Sequence, residues 1–369
     1  MRVNFLDLTA QYLTIKDEID AAIQNVIDHS AFSSGPFVKS FEENFARAHG
    51  ARYCVGVNSG TSALHVAMWA LGVGENDEVI VPTNTFFATP EAVSLTGAEP
   101  VFVDCEPEYS NIDTRQIEEA VTGKTRAIIA VHLYGQPAQM EAVKAAAEKN
   151  KLLLIEDCAQ AHLAEYKGKP VGTFGVCGCF SFYPGKNLGA YGEAGAVITD
   201  DKDLYSKMLV LRDHGALKKY HHDLVGHNYR MEGIQGAVLD VKLKYLRKWT
   251  EKRRENAGLY RKYLEGVKEV TPPSEMPEAR HVYHLFVIRV SGGQRDNLMK
   301  YLEDNKIYTG IHYPIPCHLQ QAYSFMDQSK KGYPVSERYA KEILSLPMYP
   351  ELTEKEIQYV CNKIREFYK

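Results

Sequence analysis

The segment CFSFYPGKNLGAYGEAGAVITDD, residues 179–201, decides the fold of this chain and locates a site within it. An apolar run typical of a strand ends at Tyr183, and a second apolar run begins after Gly195. One proline and several glycines lie between the runs, and glycine allows positive φ angles and a close approach of backbone to a ligand. We therefore expect Lys186 to lie between glycines at the carboxyl end of a strand, facing a cleft.

A lysine is ordinarily a solvated surface charge, and this is the alternative interpretation of Lys186. A lysine that is partly removed from water loses pKa and becomes an amine nucleophile toward carbonyl groups. The glycines on both sides and the flanking apolar strands favour the second interpretation.

The first half of the chain alternates strand-like runs with helical patterns, such as residues 61–71 and 138–149. Continuous apolar runs such as LLLI indicate strands that helices cover on both faces. We predict an α/β fold with a mostly parallel seven-stranded sheet, in which ligands bind beyond the carboxyl ends of the strands. The predicted strands cover residues 53–57, 78–82, 101–104, 127–133, 152–157, 179–183 and 196–199.

The pattern changes near residue 230. Residues 231–267 are helical in pattern, HLFVIRV (284–290) is strand-like, and residues 294–305 and those from Thr353 onward predict helices. We predict a large domain at 1–244, which includes an N-terminal helix, and a small C-terminal α/β domain at 245–369.

Composition excludes several classes of function. The chain has 369 residues, of which 45% are hydrophobic, and a formal net charge of −4. Without a basic excess, nucleic acid is not an expected partner. The first residues lack the basic start and apolar run of a signal peptide, and no run approaches about 18 apolar residues, so no membrane association is expected.

The seven cysteines are odd in number and scattered. Cys177 and Cys179 have no second pair at zinc-type spacing, so we expect neither a metal site nor a disulfide scaffold. A reducing cytoplasm fits this pattern.

Asp157 closes the run LLLIED. We expect Asp157 to point inward and Glu156 to point outward, and a buried carboxylate needs a cationic partner. A protonated ring nitrogen of a cofactor is one such partner. The alternative is that Asp157 caps a helix that begins near Ala159.

Two further segments follow predicted strands. NSGTSALH (58–65) brings hydroxyl residues to a helix start, where they could cap the helix, or where the free amides could bind a phosphate. PTNTFFAT (82–89) places Phe86 and Phe87 so that one could be core and the other could stack on a flat ring. The spacing does not distinguish these alternatives.

Together these motifs resemble the DegT/DnrJ/EryC1/StrS family of pyridoxal-phosphate (PLP) nucleotide-sugar aminotransferases, which have the fold-type I architecture. One departure is Gly192-Glu193-Ala194-Gly195, where family members often have Gly-Asp-Gly-Gly, so the conformation of this loop is open. The landmarks in family order are FLDL, SGTSALH, VHLYG, IEDCAQAH, FSFYPGKNLGAYGEAGA, NYRMEGIQGAVL, HYPIP and SLPMYP.

The resemblance implies a role for each matching residue. Lys186 would bind PLP covalently and act as general acid–base, and Asp157 would pair with the pyridine nitrogen. Gln160 would lie near the ring hydroxyl and Phe86 would stack on the ring. Asn228 would reach the phosphate of a neighbouring subunit, which implies a homodimer with shared active sites. The predicted phosphate cup consists of Gly60, Thr61 and Ser181.

The resemblance also implies a reaction in two halves. The amino group of glutamate passes to the cofactor, which becomes pyridoxamine phosphate, and then to a nucleotide-linked keto sugar. The loop after Lys186 and the HYPIPCHL segment look most like members that act at C-3, so we expect dTDP-3-keto-6-deoxyhexose, giving a 3-amino sugar for glycan or antibiotic biosynthesis. A UDP-linked 3-keto sugar acid is the alternative substrate.

Four residues are candidates for contacts with that substrate. The three in the HYPIPCHL segment could equally serve inter-domain packing. Arg230 could contact phosphate from the neighbouring subunit or form a structural ion pair. The candidates are Arg230, His312, Tyr313 and His318.

Two other classes of function share this fold. PLP-dependent sugar dehydratases resemble this chain but have histidine in place of the lysine, so Lys186 argues against them. A non-catalytic regulatory member would be expected to lose Lys186 or Asp157, and this chain has both.

Overall fold

A computed structural model describes residues 1–218 and 220–369, without the side chain of Ser329. Its strands are β1 (Tyr53–Val57), β2 (Glu78–Pro82), β3 (Glu99–Val103), β4 (Thr125–Val131), β5 (Leu153–Asp157), β6 (Glu165–Tyr166), β7 (Lys169–Pro170), β8 (Cys177–Ser181), β9 (Gly195–Thr199), β10 (Ala216–Lys218), β11 (His221–His222), β12 (Val270–Thr271), β13 (Ala279–Arg280), β14 (Phe286–Val290) and β15 (Ile343–Leu346). Its α-helices are α1 (Leu8–Thr14), α2 (Lys16–Asp28), α3 (Gly35–His49), α4 (Gly60–Ala70), α5 (Ala88–Leu95), α6 (Thr114–Ala120), α7 (Met140–Asn150), α8 (Lys202–Leu211), α9 (Gly233–Leu243), α10 (Leu246–Leu264), α11 (Arg295–Asp304), α12 (Pro334–Glu342) and α13 (Glu354–Phe367).

The central sheet has seven strands in the order β1-β9-β8-β5-β4-β2-β3. Strands β8, β5, β4, β2 and β3 are parallel, whereas β9 runs antiparallel to both of its neighbours. The predicted α/β class with a mostly parallel seven-stranded sheet is confirmed, and each predicted strand corresponds to one of the seven.

Alternate residues of each central strand enter different cores, because successive side chains point to opposite faces of a sheet. In β4, Ile129 belongs to the core on one face and Ile128 to the core on the other. In β2, Val79 and Ile80 divide in the same way. Both faces are therefore buried, as the continuous apolar runs predict.

A separate core lies in the C-terminal third. Strands β12, β14 and β15 form a three-stranded sheet, and helices α10, α11 and α13 contribute buried side chains to the same core. The N-terminus joins it through Val3, which pairs with Ile307. The division into domains 1–244 and 245–369 stays a prediction, which the position of this core supports.

The helical pattern over residues 231–267 forms two helices rather than one. Helix α9 ends at Leu243 and α10 begins at Leu246. Neither glycine nor proline marks the break, so the pattern alone does not reveal it. Within the described residues, no helix combines the length and the apolar content needed to cross a membrane.

Candidate active site

A cavity of about 750 Å³ opens at the carboxyl ends of the central strands. Val131, Asp157 and Ser181, the last residues of β4, β5 and β8, line it. Ligands of parallel α/β sheets bind at this edge. Most of the predicted site residues line the cavity, namely Gly60, Thr61, Phe86, Asp157, Gln160, Ser181, Lys186, His312 and Tyr313.

Lys186 lies in the tight turn that follows β8. Its amide donates to the carbonyl of Tyr183 at 2.8 Å. Gly189 is required further along, because a Cβ there would lie 2.2 Å from the carbonyl oxygen of Pro184. The glycines around Lys186 thus let the chain fold back on itself and hold the lysine at the cavity.

Burial lowers the pKa of the Lys186 amine from its ordinary value of 10.5 to about 8, although the negative charge of Asp157 opposes this change. An amine with this pKa is partly neutral near physiological pH. Lys186 can therefore attack a carbonyl group and can also accept and return a proton.

Asp157 is almost fully buried and receives two hydrogen bonds from neutral donors. The Ala159 amide donates to Oδ1 at 3.1 Å, and the Thr89 hydroxyl donates to Oδ2 at 2.8 Å. Burial raises the pKa of Asp157, although both of these bonds favour the charged form. No helix begins near Ala159, since residues 158–164 form turns, so the helix-cap interpretation is wrong. A carboxylate in this environment suits a cationic partner in the cavity.

The prediction that Glu156 points outward is wrong. Glu156 is fully buried, and its carboxylate accepts hydrogen bonds from the amides of Gly172 (2.7 Å), Phe174 (2.6 Å) and Gly175 (2.8 Å). The sheet is covered on both faces, so the residue that points away from the cavity meets the loop before β8 instead of water.

His132, Glu156 and Cys158 bring atoms of metal-ligand type within 4.8 Å of one another. The atoms of the first two are already engaged, because His132 Nε2 lies 3.1 Å from Glu156 and Nδ1 accepts the Ala138 amide at 3.0 Å. Burial raises the pKa of the Cys158 thiol, which disfavours the thiolate that binds metals. The hydrogen bonds of His132 and Glu156 join the ends of β4 and β5 to the backbone beside them.

Helix α4 begins at the cavity. The hydroxyl of Ser59 caps it by accepting the Ser62 amide at 3.0 Å, and the first amides, at Gly60 and Thr61, have no carbonyl one turn earlier to bind. A Cβ at Gly60 would lie 2.6 Å from Cβ of Ser181, so glycine allows the helix to approach β8 this closely. The two alternatives for this segment are therefore compatible, because Ser59 caps the helix while the following amides and the Ser181 hydroxyl form a cup suited to a phosphate.

Phe86 and Phe87 lie in different environments, one at the cavity and the other in the core. Phe87 is partly buried and packs against Tyr323, with ring centroids 5.4 Å apart. Phe86 is 53% exposed and lines the cavity, where its ring centroid lies 5.4 Å from that of Tyr313. Phe86 is therefore free to stack on a flat ring.

Gln160 is held by two bonds that fix the orientation of its amide. Its Oε1 accepts the Tyr134 amide at 2.6 Å, and its Nε2 donates to the Tyr313 hydroxyl at 3.0 Å. The Tyr134 hydroxyl in turn donates to the carbonyl of His312. The second N–H of Gln160 is left for an oxygen of a ligand.

Three predicted residues do not line the cavity. Asn228 is exposed, and its carbonyl accepts a hydrogen bond from Asn58 Nδ2 at 3.3 Å. Arg230 forms an ion pair with Asp213, which matches the structural alternative for this residue.

His318 is the third of them. It is fully buried, with Nδ1 2.6 Å from the Thr83 hydroxyl and its ring against Tyr333. The packing interpretation therefore describes His318, and the structure does not bring it to the substrate. The chain turns into a short 3₁₀ helix at residues 317–319, which directs His318 into the core while His312 and Tyr313 face the cavity.

Several residues that line the cavity are absent from the predicted site. Thr89 reaches Asp157 from three residues beyond Phe86, a spacing of one helical turn that could have identified it. His284 directly precedes the strand-like run LFVIRV, where nothing in the local sequence signals a functional role. Tyr183 and Glu193 flank the Lys186 turn and also line the cavity.

The departure at Gly192-Glu193-Ala194-Gly195 fits without strain. Ala194 is fully buried, and its carbonyl accepts the Phe182 amide at 2.8 Å. A Cβ at Gly195 would lie 2.2 Å from the carbonyl oxygen of Ser59, so the glycine that the packing requires is retained.

The donor set of the cavity fits PLP. The cup at the start of α4 suits the phosphate, Asp157 suits the protonated ring nitrogen, and the exposed face of Phe86 suits the ring. Lys186, with its lowered pKa, suits the aldehyde carbon. Each of these groups lines one cavity, so a single cofactor could contact them together.

Comparisons with known proteins agree with this geometry. Residues 13–365 match the DegT/DnrJ/EryC1/StrS aminotransferase family. The chain is 45% identical over 371 residues to the "Pleiotropic regulatory protein" of Geobacillus stearothermophilus, with 100% of this chain and 99% of that protein covered. It is 41% identical to the dTDP-3-amino-3,4,6-trideoxy-alpha-D-glucose transaminase of Streptomyces venezuelae, with 99% and 96% covered.

A solved structure is similar along the whole chain. The crystal structure of S. venezuelae DesV in complex with a ketimine intermediate has a TM-score of 0.97 and 41% sequence identity, and the alignment covers 100% of this chain and 99% of that one. With the family match and the cavity geometry, this shows that the chain belongs to the DegT/DnrJ/EryC1/StrS aminotransferase family, whose members depend on PLP.

Proposed function

We propose that this aminotransferase moves an amino group from glutamate to C-3 of a dTDP-linked 3-keto-6-deoxyhexose. The observation that carries the proposal is the presence of Lys186 and Asp157 in one cavity with the phosphate cup at the start of α4. The name of the S. venezuelae relative supports the nucleotide and the position of the amino group.

PLP, when bound, supplies an electron sink for the charge that develops at the carbon beside the amino nitrogen. Lys186 holds the cofactor covalently, and its amine moves a proton at that carbon in both half-reactions. Its pKa of about 8 allows it to give and take this proton near neutral pH. Asp157 keeps the ring nitrogen protonated, because a buried carboxylate is best compensated by a cation.

The remaining walls orient the ligands. Phe86 offers its ring face, and Gln160 offers the N–H that its bonds to Tyr134 and Tyr313 leave free. His312 and Tyr313 border the same cavity and are the candidates for contact with the sugar.

The name of the Geobacillus stearothermophilus relative raises a regulatory role as an alternative. A purely regulatory protein has no need of a lysine whose pKa is lowered, or of a buried carboxylate beside it. Both groups line the cavity of this chain, and catalysis accounts for them.

The main experiment measures products. The purified protein with PLP and glutamate is incubated with dTDP-3-keto-6-deoxyhexose, with a UDP-linked 3-keto sugar acid and with 4-keto isomers, and products are identified by mass spectrometry. We expect a 3-amino sugar from the first substrate. Preferred amination of the UDP sugar acid or of a 4-keto sugar would overturn the assigned substrate.

We further infer that the working unit is a homodimer in which Asn228 acts on the neighbouring site. Asn228 lies outside the cavity of its own chain. The preceding segment exposes Leu217 and Val225, at 72% and 81% of their surfaces, and such apolar residues suit a protein contact. A phosphate dianion can also accept more hydrogen bonds than one helix start and one hydroxyl donate, so a residue of the neighbouring subunit could supply another.

Complementation tests this arrangement. Lys186→Ala and Asn228→Leu proteins, each inactive or impaired, are mixed under conditions in which subunit exchange is verified. If Asn228 acts in trans, each mixed dimer has one intact site, and activity returns toward half of that of the unmodified dimer. Absence of recovery after proven exchange would place Asn228 in cis.

The seven cysteines are free and buried, which supports the reducing cytoplasm as the compartment.

A further inference from the structure

Tyr134 is a buried residue to which the proposed function gives no role. It follows Leu133, which lines the cavity, but it does not line the cavity itself. Its backbone is in the left-handed region, with φ of 60° and ψ of 3°, in the turn after β4. This conformation is unfavourable for a residue other than glycine and persists only where the surrounding structure fixes it. The contacts of Tyr134 therefore hold this turn in one specific arrangement.

Three hydrogen bonds connect Tyr134 to the cavity wall in a closed ring. The Tyr134 amide donates to Oε1 of Gln160 at 2.6 Å, and Nε2 of Gln160 donates to the Tyr313 hydroxyl at 3.0 Å. The Tyr134 hydroxyl donates to the carbonyl of His312, the residue that directly precedes Tyr313 in the chain. The path that leaves Tyr134 through its amide thus returns to it through its side chain.

The members of this ring face the cavity from different walls. Gln160 follows β5, whereas Tyr313 lies 153 positions further along the chain, and both line the cavity. Tyr134 contacts both sides, because its backbone bonds to Gln160 and its side chain bonds to His312. Its carbonyl also accepts the Leu285 amide at 3.3 Å. A shift of Tyr134 would therefore displace the two sides of the cavity together.

The hydroxyl of Tyr134 remains a donor near neutral pH. Burial raises the pKa of this hydroxyl well above its ordinary value of 10, so it keeps its proton. The hydroxyl also interacts with the side chain of Asn84, which lies after β2. Other buried tyrosines donate to carbonyls as well, and Tyr260 bonds to the carbonyl of Pro347 at 2.9 Å. Pro347 does not line the cavity, whereas the acceptor of Tyr134 does.

We propose that Tyr134 is a positioning residue whose ring of hydrogen bonds fixes the orientation of Gln160 and the place of the His312–Tyr313 segment together. The inference rests on the proposed function where it assigns that segment to the keto sugar. Because the bonds form one ring, removal of any one of them opens the whole ring. Loss of a second bond then costs little more, so the effects of two substitutions in the ring should be non-additive.

Two substitutions open the ring at different bonds and keep the aromatic side chain in place. Tyr134→Phe removes the hydroxyl that donates to His312, and Tyr313→Phe removes the hydroxyl that accepts from Gln160. Tyr260→Phe is the matched control, because it removes a buried tyrosine hydroxyl whose carbonyl partner lies outside the cavity.

The first readout is hydrogen exchange of the Tyr134 amide in the PLP-loaded protein without sugar, followed by mass spectrometry that resolves single amides. This amide donates to Gln160, so its exchange reports a bond that neither substituted hydroxyl makes. Tyr313→Phe leaves the Gln160 amide held at one end only, and we expect it to speed exchange at Tyr134 about tenfold. Tyr260→Phe should leave the rate near that of the unmodified protein. An unchanged rate in Tyr313→Phe would overturn the proposal.

The second readout is the KM for the keto sugar. We expect Tyr134→Phe to raise it about two- to tenfold, and the variant with both Tyr134→Phe and Tyr313→Phe to raise it no further than the larger single effect. General loss of stability lowers the amount of active enzyme rather than this KM, so Tyr260→Phe should leave it unchanged. Effects that multiply in the double variant would show that the bonds act separately and overturn the ring. An unchanged KM in Tyr134→Phe would overturn the positioning role.

Tyr134→Phe also loses the interaction with Asn84, which Asn84→Ala removes alone. Asn84→Ala should leave the KM for the keto sugar near the value of the unmodified enzyme, and an equal rise would assign the effect to Asn84 and overturn the proposal. If Tyr134→Phe does not fold, exchange in Tyr313→Phe still tests the ring, since Tyr134 is intact there. That measurement uses no sugar, so it remains decisive even if every keto sugar fails and the proposed substrate is wrong.

Discussion

The cavity has two walls whose side chains are placed in different ways. The strand wall consists of Gly60, Thr61, Asp157, Ser181 and Lys186. The crossing wall consists of His284, His312 and Tyr313. Each member of the strand wall lies at or within a few residues of a strand end. The crossing wall is instead joined to the segments that follow the central strands by hydrogen bonds between residues distant in sequence. The Gln160–Tyr313 bond spans 153 positions and the Tyr134–His312 bond spans 178. Chemistry in the strand wall can thus be inferred from local sequence, whereas chemistry in the crossing wall depends on the completed fold.

The largest expected effect tests the strand wall at its reactive group. Lys186→Ala removes the group to which we assign both the covalent attachment of the cofactor and the proton transfer, so we expect turnover to fall by about 10³-fold or more. The measurement is the rate of amino-sugar formation with saturating PLP and glutamate, together with thermal unfolding to show that the fold is intact.

Lys169→Ala is the control for this substitution. Lys169 is exposed and lies outside the cavity, so its loss should leave turnover near that of the unmodified enzyme. If Lys186→Ala kept near-normal turnover without added amine, the assignment of catalysis to the strand wall would be wrong.

The second prediction concerns the free energy of unfolding of the protein without its cofactor. In the folded chain the pKa of Lys186 is about 8 instead of 10.5. Below pH 8 both the folded and the unfolded chain carry the proton, and the folded chain bears the full cost of a buried ammonium group. At about 1.4 kcal/mol per pKa unit, this cost is up to about 3 kcal/mol. As the pH rises from 8 to 10.5, the unfolded chain binds more protons than the folded chain, and the cost disappears.

Lys186→Met should therefore stabilise this form at pH 7 by up to about 3 kcal/mol and should lose most of that gain by pH 10.5. Urea unfolding of both proteins at the two pH values measures the difference. A stability gain that is independent of pH would show that packing of the methionine, rather than the charge of Lys186, explains it.

The same contrast separates what the sequence predicts from what it does not. Strands β1 and β2 match their predicted residues, and the predicted helix from Thr353 onward is α13. Thr353 caps this helix, with a reciprocal bond to Glu356. These features depend on apolar runs and on cap residues that lie within a few positions of each other. In the strand wall, each predicted residue lines the cavity for the same reason.

Predictions fail where the decisive partner is distant in sequence. Glu156 is buried because a loop 16–19 residues later closes over it, and His284 is oriented by Asn187, 97 positions away. His318 lies in the same HYPIPCHL segment as His312, but its side chain is buried in the core. The local sequence pattern indicates which positions carry chemically active side chains. The burial of such a side chain and the tautomer of a histidine depend on contacts between segments that are distant in sequence.

The third prediction compares two adjacent acids on opposite faces of β5. Asp157→Asn removes the charge that compensates a protonated ring nitrogen, a loss of roughly 1.5–3 kcal/mol, or roughly one to two decades of turnover. Glu156→Gln instead weakens bonds to three backbone amides, so it should lower the free energy of unfolding by about 1.5–3 kcal/mol. Turnover and urea unfolding are measured for both. If Asp157→Asn changed only stability, its assignment to the cofactor would be wrong.

The smallest expected effect tests the crossing wall. Tyr313→Phe removes the hydroxyl that accepts from Gln160 at 3.0 Å, and leaves the ring in place against Phe86. The net value of one such bond is about 0.5–1.5 kcal/mol, so we expect a rise of about two- to tenfold in KM for the keto sugar. The KM for glutamate should change less, because the crossing wall is assigned to the sugar.

His318→Gln provides the contrast within the same segment, because His318 is buried outside the cavity. We expect it to lower thermal stability while the KM for the keto sugar stays unchanged. If Tyr313→Phe weakened PLP binding and left the sugar KM unaltered, the crossing wall would be part of the cofactor site, reached through Gln160. Sugar recognition would then have to come from other groups, and the loop of Asn228, which we propose crosses to the neighbouring site, would be the first place to look for them. The keto-sugar KM values of the two variants therefore decide between two arrangements. Either the strand wall binds the cofactor and the crossing wall binds the sugar, or both walls bind the cofactor.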